Sequence, residues 1–190
     1  KGIRMSTIKL IVFDLDGVLV DTKNIHFNAL NNALKKEKIK YQISYDEHLK
    51  IFDGLTTKEK LQILLKRKVL KKNNLKNIIK FKNIYTDTEL KKSIKFNKKI
   101  YEIFKKLSKK YKIIVATNAI KKTLVTCIKK LKIQKYLFLS YSNQDVIFPK
   151  PHPQIYLKCM VDGGSKPKET LIIEDSHHGR QSAIDSGGNL

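Results

Sequence analysis

The sequence predicts an α/β fold: a Rossmann-like, doubly wound parallel sheet interrupted by an inserted block of helices. Three observations predict it. Short apolar runs stop at polar residues in three separate places. These runs alternate with helix-period segments in both outer parts of the chain, and between residues 24 and 92 only helical spacing is found. Alternating strands and helices imply a parallel sheet with helices on both faces. The core is therefore assigned to residues 5–22 and 93–190, and the helical insertion to residues 23–92.

Each element has a local reason. Residues 8–13, apolar apart from Lys9, read as a buried strand ending at Asp14-Leu15-Asp16-Gly17. Residues 24–38 repeat Ile25, Ala29, Ala33 and Phe27, Leu30, Leu34 at helical spacing. Ser44 and Glu47 form a capping-box pattern for a short helix through Phe52. Thr56 or Thr57 can cap the next helix, with Leu61, Leu64 and Leu65 on its inner face. Residues 75–85 carry Ile78, Ile79, Phe81 and Ile84 in a helical pattern.

Beyond the insertion, residues 100–107 read as a helix, and the β-branched run 112–116 as a strand ending at Thr117-Asn118. Residues 121–131 read as a helix and 136–140 as a strand. Pro153 suits the first turn of a helix running to residue 160. Residues 171–173 form a strand that stops at Glu174-Asp175. Ser176 can cap a last helix to Asp185, closed by Gly187-Gly188. Met5 reads as the natural start, with residues 1–4 as a leader. A sheet of this kind would continue with another strand beyond Leu190.

Composition narrows the function classes. With 190 residues, 41% apolar and 30% charged, the chain can build a real core. Eight Gly, four Pro and two Cys exclude collagen-like and disulfide-scaffold proteins. The first apolar stretch, residues 8–20, is broken by Asp14 and Asp16, so it reads as neither a membrane span nor a signal core. Cys127 and Cys159 lie in different predicted helices without zinc-type spacing, which suggests a reduced, cytoplasmic protein. The net charge of +23 comes almost wholly from lysine, since Arg4, Arg67 and Arg180 are the only arginines. A nucleic-acid binder would concentrate charge and use arginine forks or stacking aromatics. Here the lysine pairs are scattered, as solvated lysines on every exposed face would be. A basic nucleic-acid-binding module on an inactive hydrolase fold is kept as the alternative from another class.

Three predicted strands end in polar groups: Asp14 and Asp16, Thr117 and Asn118, Glu174 and Asp175. Lys150 lies in a proline-rich loop, Pro149-Lys150-Pro151-His152-Pro153. Ligands of open α/β sheets sit beyond the carboxyl ends of strands at a switch point, so these groups are expected to converge. Asp14 and Asp16, two apart on extended chain, point the same way and repel. Glu174 and Asp175 add to the repulsion, which a hard divalent cation with oxygen ligands, such as Mg2+, would relieve while leaving room for a phosphate oxygen. Gly17 permits a tight turn. Lys150 and Thr117 offer a positive charge and a hydroxyl to phosphoryl oxygens.

At these residues the chain resembles the haloacid dehalogenase superfamily. Phe13-Asp14-Leu15-Asp16-Gly17-Val18-Leu19-Val20-Asp21-Thr22 resembles its first motif, and Val115-Ala116-Thr117-Asn118 its second. Lys150 matches its third motif and Ile173-Glu174-Asp175-Ser176 its fourth, with His177 where proline usually follows. The four stand in family order across nearly the whole chain. The insertion resembles the helical cap of the β-phosphoglucomutase and phosphoglycolate phosphatase branch.

The resemblance implies that Asp14 is the nucleophile and Asp16 the general acid and base. It implies Mg2+ held by Asp14, the main-chain carbonyl of Asp16, and Asp175, with Glu174 as a direct or water-mediated partner. Thr117, Asn118 and Lys150 would bind the phosphoryl group. Asp53-Gly54-Leu55-Thr56-Thr57-Lys58 corresponds to the loop that selects substrate, where β-phosphoglucomutases carry an arginine in place of Thr57; Lys58 could partly substitute. Thr22 and His26 match hinge positions of the mutase branch. His26, taken alone, reads as a structural or interface residue.

The expected protein is a Mg2+-dependent phosphatase of a small phosphorylated metabolite, acting as a monomer or weak dimer, with a sugar phosphomutase as the nearest alternative. A dehalogenase would need neither Asp16 nor a metal. A phosphonate hydrolase would lack the second aspartate.

Overall fold

A computed structural model gives the structure of residues 7–190; the expected leader and the start at Met5 lie outside the described residues. Four strands, β1 (Leu10–Phe13), β2 (Lys112–Ala116), β3 (Leu139–Tyr141) and β4 (Thr170–Ile173), form one sheet in the order β3-β2-β1-β4. Every pairing is parallel, with Phe13 opposite Val115 on one side and Ile173 on the other. β1 is buried along its whole length, which explains why its sequence is a continuous apolar run and not an alternating one.

Alternation appears between the two faces. Ile11, Phe13, Ile113 and Val115 face Phe104 of α5 (Lys98–Leu107) and Leu124, Cys127, Ile128 and Leu131 of α6 (Lys121–Leu131). Leu10, Val12, Ile114, Ala116 and Ile172 face Ile155, Tyr156, Cys159 and Met160 of α7 (Gln154–Gly163) and Ala183 of α8 (His177–Asp185). The period of two along each strand thus supplies both layers of the core. Both cysteines are free and buried, and burial pushes each thiol up to about 12.

Between β1 and α5 lie α1 (Lys23–Lys36), α2 (Tyr45–Glu47), α3 (Thr57–Lys66) and α4 (Leu75–Ser93). They enclose a separate apolar cluster that includes Leu30, Leu34, Phe52, Leu64 and Ile78. α4 runs beyond the expected residue 85 and delivers Leu90 into the core of the sheet, followed by Ile94. One rod therefore joins the two apolar clusters.

Other departures have local causes. Only half of the capping box at Ser44 forms. Its hydroxyl accepts from the Glu47 N–H at 3.1 Å, but the Glu47 carboxylate is taken by Tyr41 and Arg67. The helix then loosens into a π-turn over His48–Phe52. Thr56, not Thr57, caps α3, in a full capping box with Glu59. The expected strand at residues 136–140 begins later, because Gln134–Tyr136 closes a 3-10 turn and sheet pairing starts where the Phe138 N–H donates to Ile113 O at 2.8 Å. Pro153 stands just before α7 as its N-cap. Asn189 forms a parallel bridge with Leu171, on the side of β4 away from β1. Among the described residues no helix is long and apolar enough to cross a membrane.

Candidate active site

The order of the sheet reverses at β1, whose neighbours β2 and β4 come later in the chain on opposite sides. The groups after β1, β2 and β4 therefore share one crevice. Asp14 is fixed there by its N–H, which donates to Ile173 O at 2.9 Å, and its side chain is 7% exposed.

Lys150 reaches into the same point from the loop before α7, through a cis Lys150–Pro151 peptide. It is 2% exposed, and its Nζ donates to Asp14 Oδ1 at 2.6 Å, Glu174 Oε2 at 2.7 Å and Ala116 O at 2.9 Å. The Tyr156 hydroxyl donates to Glu174 Oε2 at 2.7 Å, and its ring lies 4.7 Å from Lys150 Nζ. Glu174 Oε1 accepts from the N–H groups of Asp175 and Ser176 and from the Ser176 hydroxyl. Carboxylate oxygens of Asp14, Glu174 and Asp175 lie within 4.8 Å of one another.

The charges do not balance locally. Burial opposes the charge on Lys150, but Asp14, Tyr156 and Glu174 override it and hold the ammonium well above its ordinary pKa. Burial pushes Asp14 upward, and although Lys150 opposes this, Glu174 and Asp16 reinforce it. The centre is short of positive charge, and three carboxylates within 4.8 Å offer the hard oxygen donors that a divalent cation takes. Gly17, at φ +88°, leaves room for Asp175: a Cβ there would overlap its carboxylate.

Asp16 turns away from this group of acids. Its Oδ1 accepts from the Thr22 hydroxyl and lies 3.2 Å from His26 Nε2, and its Oδ2 accepts from Thr117 Oγ1 at 3.2 Å. Burial would raise its pKa, yet His26, Thr22 and Thr117 together hold the carboxyl below the usual range. His26, read from the sequence as a structural or interface residue and, by resemblance, as a hinge position, is a direct partner of Asp16. Asn118 serves as a brace: its amide donates to Gly54 O and Lys150 O, both at 2.9 Å, and accepts from Lys150 N–H at 3.0 Å. All of its side-chain groups are engaged with the protein.

The insertion closes over the crevice. Lys23 pairs with Asp175 at 2.9 Å, His178 Nδ1 lies 3.1 Å from Asp53 O, and Gly54 packs against Ser176. Thr22, His26, Gly54 and Thr57 line the cleft with Asp14, Asp16, Thr117, Asn118 and Lys150. Lys58 does not: it is exposed and outside the lining, a correction to the sequence reading. α3 starts at Thr57, so the next residue points about 100° away, while Lys60, three residues on, returns to Thr57's face. Lys60 and Lys82 both line the cleft and were missed. The signal lay in the i, i+3 spacing from Thr57, hidden among many solvated lysines.

The fold and site together define an α/β enzyme with a covered acidic centre at the switch point. A family model for haloacid dehalogenase-like hydrolases matches residues 11–189, and the chain belongs to that family. It is 27% identical over 182 residues to a phosphorylated carbohydrates phosphatase of Thermotoga maritima, covering 95% of this chain and 82% of that one. It is 26% identical to the pyrophosphatase PpaX of Bacillus cereus, covering 90% and 76%. The structure of CbbY from Rhodobacter sphaeroides with xylulose-(1,5)-bisphosphate superimposes with a TM-score of 0.84 at 18% identity, covering 96% of this chain and 84% of that chain, a likeness of fold.

Proposed function

We propose that the chain is a Mg2+-dependent phosphatase of small phosphorylated metabolites, working through an aspartyl-phosphate on Asp14. One observation carries the reading: Asp14, buried at the switch point, is bonded to Lys150 at 2.6 Å and grouped with Glu174 and Asp175 within 4.8 Å. The family and the phosphatase relatives support it.

Mg2+ would be held by Asp14, Asp175 and the Asp16 carbonyl with help from Glu174; when bound it supplies the positive charge that the acids and a phosphoryl group need. A carboxylate oxygen of Asp14 attacks phosphorus, and the bond to the ester oxygen breaks. Asp16 gives that oxygen its proton, which requires the carboxyl to leave the three donors that favour its charge. In the second half a water attacks the acyl phosphate while Asp16 accepts its proton, so phosphate leaves and Asp14 is restored. Lys150 neutralises the phosphoryl oxygens, and Thr117 turns its hydroxyl from Asp16 to them. Asn118 holds the Lys150 loop and the Gly54 loop in register. Positioning and charge neutralisation suffice for phosphoryl transfer.

The test is a phosphate-release screen over sugar phosphates, phosphoglycolate, nucleotides and DNA ends, with and without Mg2+. The expected results are Mg2+-dependent release, acid-labile phosphate on Asp14, and a loss of more than about 10³-fold in Asp14→Asn. A fully active Asp14→Asn protein overturns the reading. The contacts of Thr22 and His26 with Asp16 favour one second reading, a sugar phosphomutase. It predicts isomerised product in place of free phosphate.

A further inference from the structure

The charge of the chain is not shared evenly between the two layers that cover the sheet. Residues 94–138, which hold α5, β2, α6 and the turn Gln134–Tyr136, carry 14 lysines and one acid, Glu102. Residues 154–190, which hold α7, β4 and α8, carry four basic and five acidic residues. Lysine pairs that look scattered along the chain are therefore gathered by the fold into the layer of α5 and α6, where all 14 are exposed. Lys105 lies 3.9 Å from Glu102, and Lys122 pairs with Asp87 at 2.9 Å. Lys98, Lys99, Lys106 and Lys129 form no ion pair among the described residues. Like charges crowded on one layer repel, a cost that a polyanion relieves.

The same layer carries rings. Phe96, 47% exposed, meets Tyr101 with centroids 5.6 Å apart, and Tyr101 meets Tyr136 at 5.3 Å. Lys132 lies 5.3 Å from the Phe96 ring, and Lys135 lies 5.7 Å from Tyr101 and 5.2 Å from Tyr136. None of these residues lines the cleft that holds Asp14. We infer that the layer of α5 and α6 binds single-stranded nucleic acid without reading its sequence, its lysines on the phosphates and Phe96, Tyr101 and Tyr136 as a platform for bases. Residues 94–138 contain no arginine, and lysine serves as a point charge for phosphates, not as a fork for base edges. An ammonium drawn from a ring to a phosphate uncovers that ring, and a base of any kind can stack there. An anionic bilayer would match the charge, but it rewards apolar side chains that project past the lysines, and here the rings lie beneath them.

The test is fluorescence anisotropy of the full chain with a labelled thymidine strand of about 20 nucleotides, longer than one such site needs. The strand carries no terminal phosphate and the buffer contains EDTA, so the result is independent of the phosphatase reading. Affinity should fall on the order of 10²-fold between about 50 and 200 mM NaCl, as for about five phosphate contacts. The combined variant Lys98→Gln, Lys99→Gln, Lys106→Gln and Lys129→Gln should lose more than half of that salt dependence. A control with the same charge, Lys40→Gln, Lys66→Gln, Lys76→Gln and Lys80→Gln in the insertion, should bind within about twofold of the unmodified protein. Tyr101→Leu should weaken the single strand about fivefold or more and leave duplex binding unchanged. Circular dichroism checks the folding of each variant, and the lysine sets, all exposed, decide the question if Tyr101→Leu does not fold. The inference is overturned by absence of binding at the lower salt, by equal losses in the two lysine sets, or by a duplex bound as tightly as the single strand. Capture by phosphatidylserine vesicles that excess strand does not displace overturns it in favour of a membrane surface.

Discussion

At the carboxyl end of the sheet, Lys150 is buried to 2% exposure and surrounded by acceptors: two carboxylates and a main-chain oxygen. In the helical insertion, Lys60 and Lys82 are nearly as buried, at 5% and 8%, and meet none within ion-pair distance among the described residues. The same residue type, equally dry, is driven in opposite directions. Lys150 holds its proton more firmly than in water, while Lys60 and Lys82 give theirs up more readily. Burial alone does not set the state of a lysine; the charges already in place decide it. On the sheet side of the cleft the ammonium has two carboxylates beside it, and on the insertion side the two ammonium groups have no ion pair among the described residues.

The largest break in this contrast should come from Lys150→Met. It leaves Asp14 and Glu174 buried without their cation, a loss of about 3–5 kcal/mol by urea denaturation at pH 7, along with all phosphate release. Lys82→Met should do the opposite to stability. The Lys82 pKa falls from 10.5 to about 7 on folding, so between those values the unfolded chain binds more protons and stability rises with pH. The cost is full below about pH 7. The variant should therefore be more stable by on the order of 2 kcal/mol at pH 6, and the gain should vanish by about pH 10.5. A variant less stable at pH 6 would refute the unpaired state of that ammonium.

Gly54→Ala sharpens the comparison from the side of closure. Its φ is +76°, and a Cβ would sit 3.0 Å from Ser176 Oγ, so the loop that covers the acids is strained by roughly 1–3 kcal/mol. KM should rise several-fold, with a smaller fall in melting temperature than in Lys150→Met. The smallest effect is expected of Tyr156→Phe, which keeps the ring against Lys150 and removes one donor from Glu174. A loss of about 1 kcal/mol, read by the same denaturation, is the expected outcome.

Much of the fold could be read from the residues. The strand β2 and helix α6 fall where β-branched and helix-period runs place them, and Ser176 caps α8 as its position suggests. α4 could not be ended from sequence. The apolar positions after Tyr85 thin out, and only contact of Leu90 with the sheet's core shows why the helix goes on. At the site, Asp14, Asp16, Thr117, Lys150, Glu174 and Asp175 were visible as polar residues at strand ends or in the adjoining loop. Tyr156 was not, because an aromatic in a helix reads as core. Lys58 was named because it follows Thr57, where the resemblance puts an arginine; with Thr56 as the cap, α3 starts at Thr57 and turns Lys58 outward.

The sequence by itself determined the parallel sheet, the helical insertion and the ends of the strands where chemistry gathers, because these follow from local periodicity and from turn and cap chemistry along the chain. Only the tertiary structure decided the partners of each charge. Lys150 meets Asp14 across 136 residues of chain, whereas Lys60 forms no ion pair among the described residues. A buried charge takes its character from neighbours that folding supplies, and no local pattern encodes them.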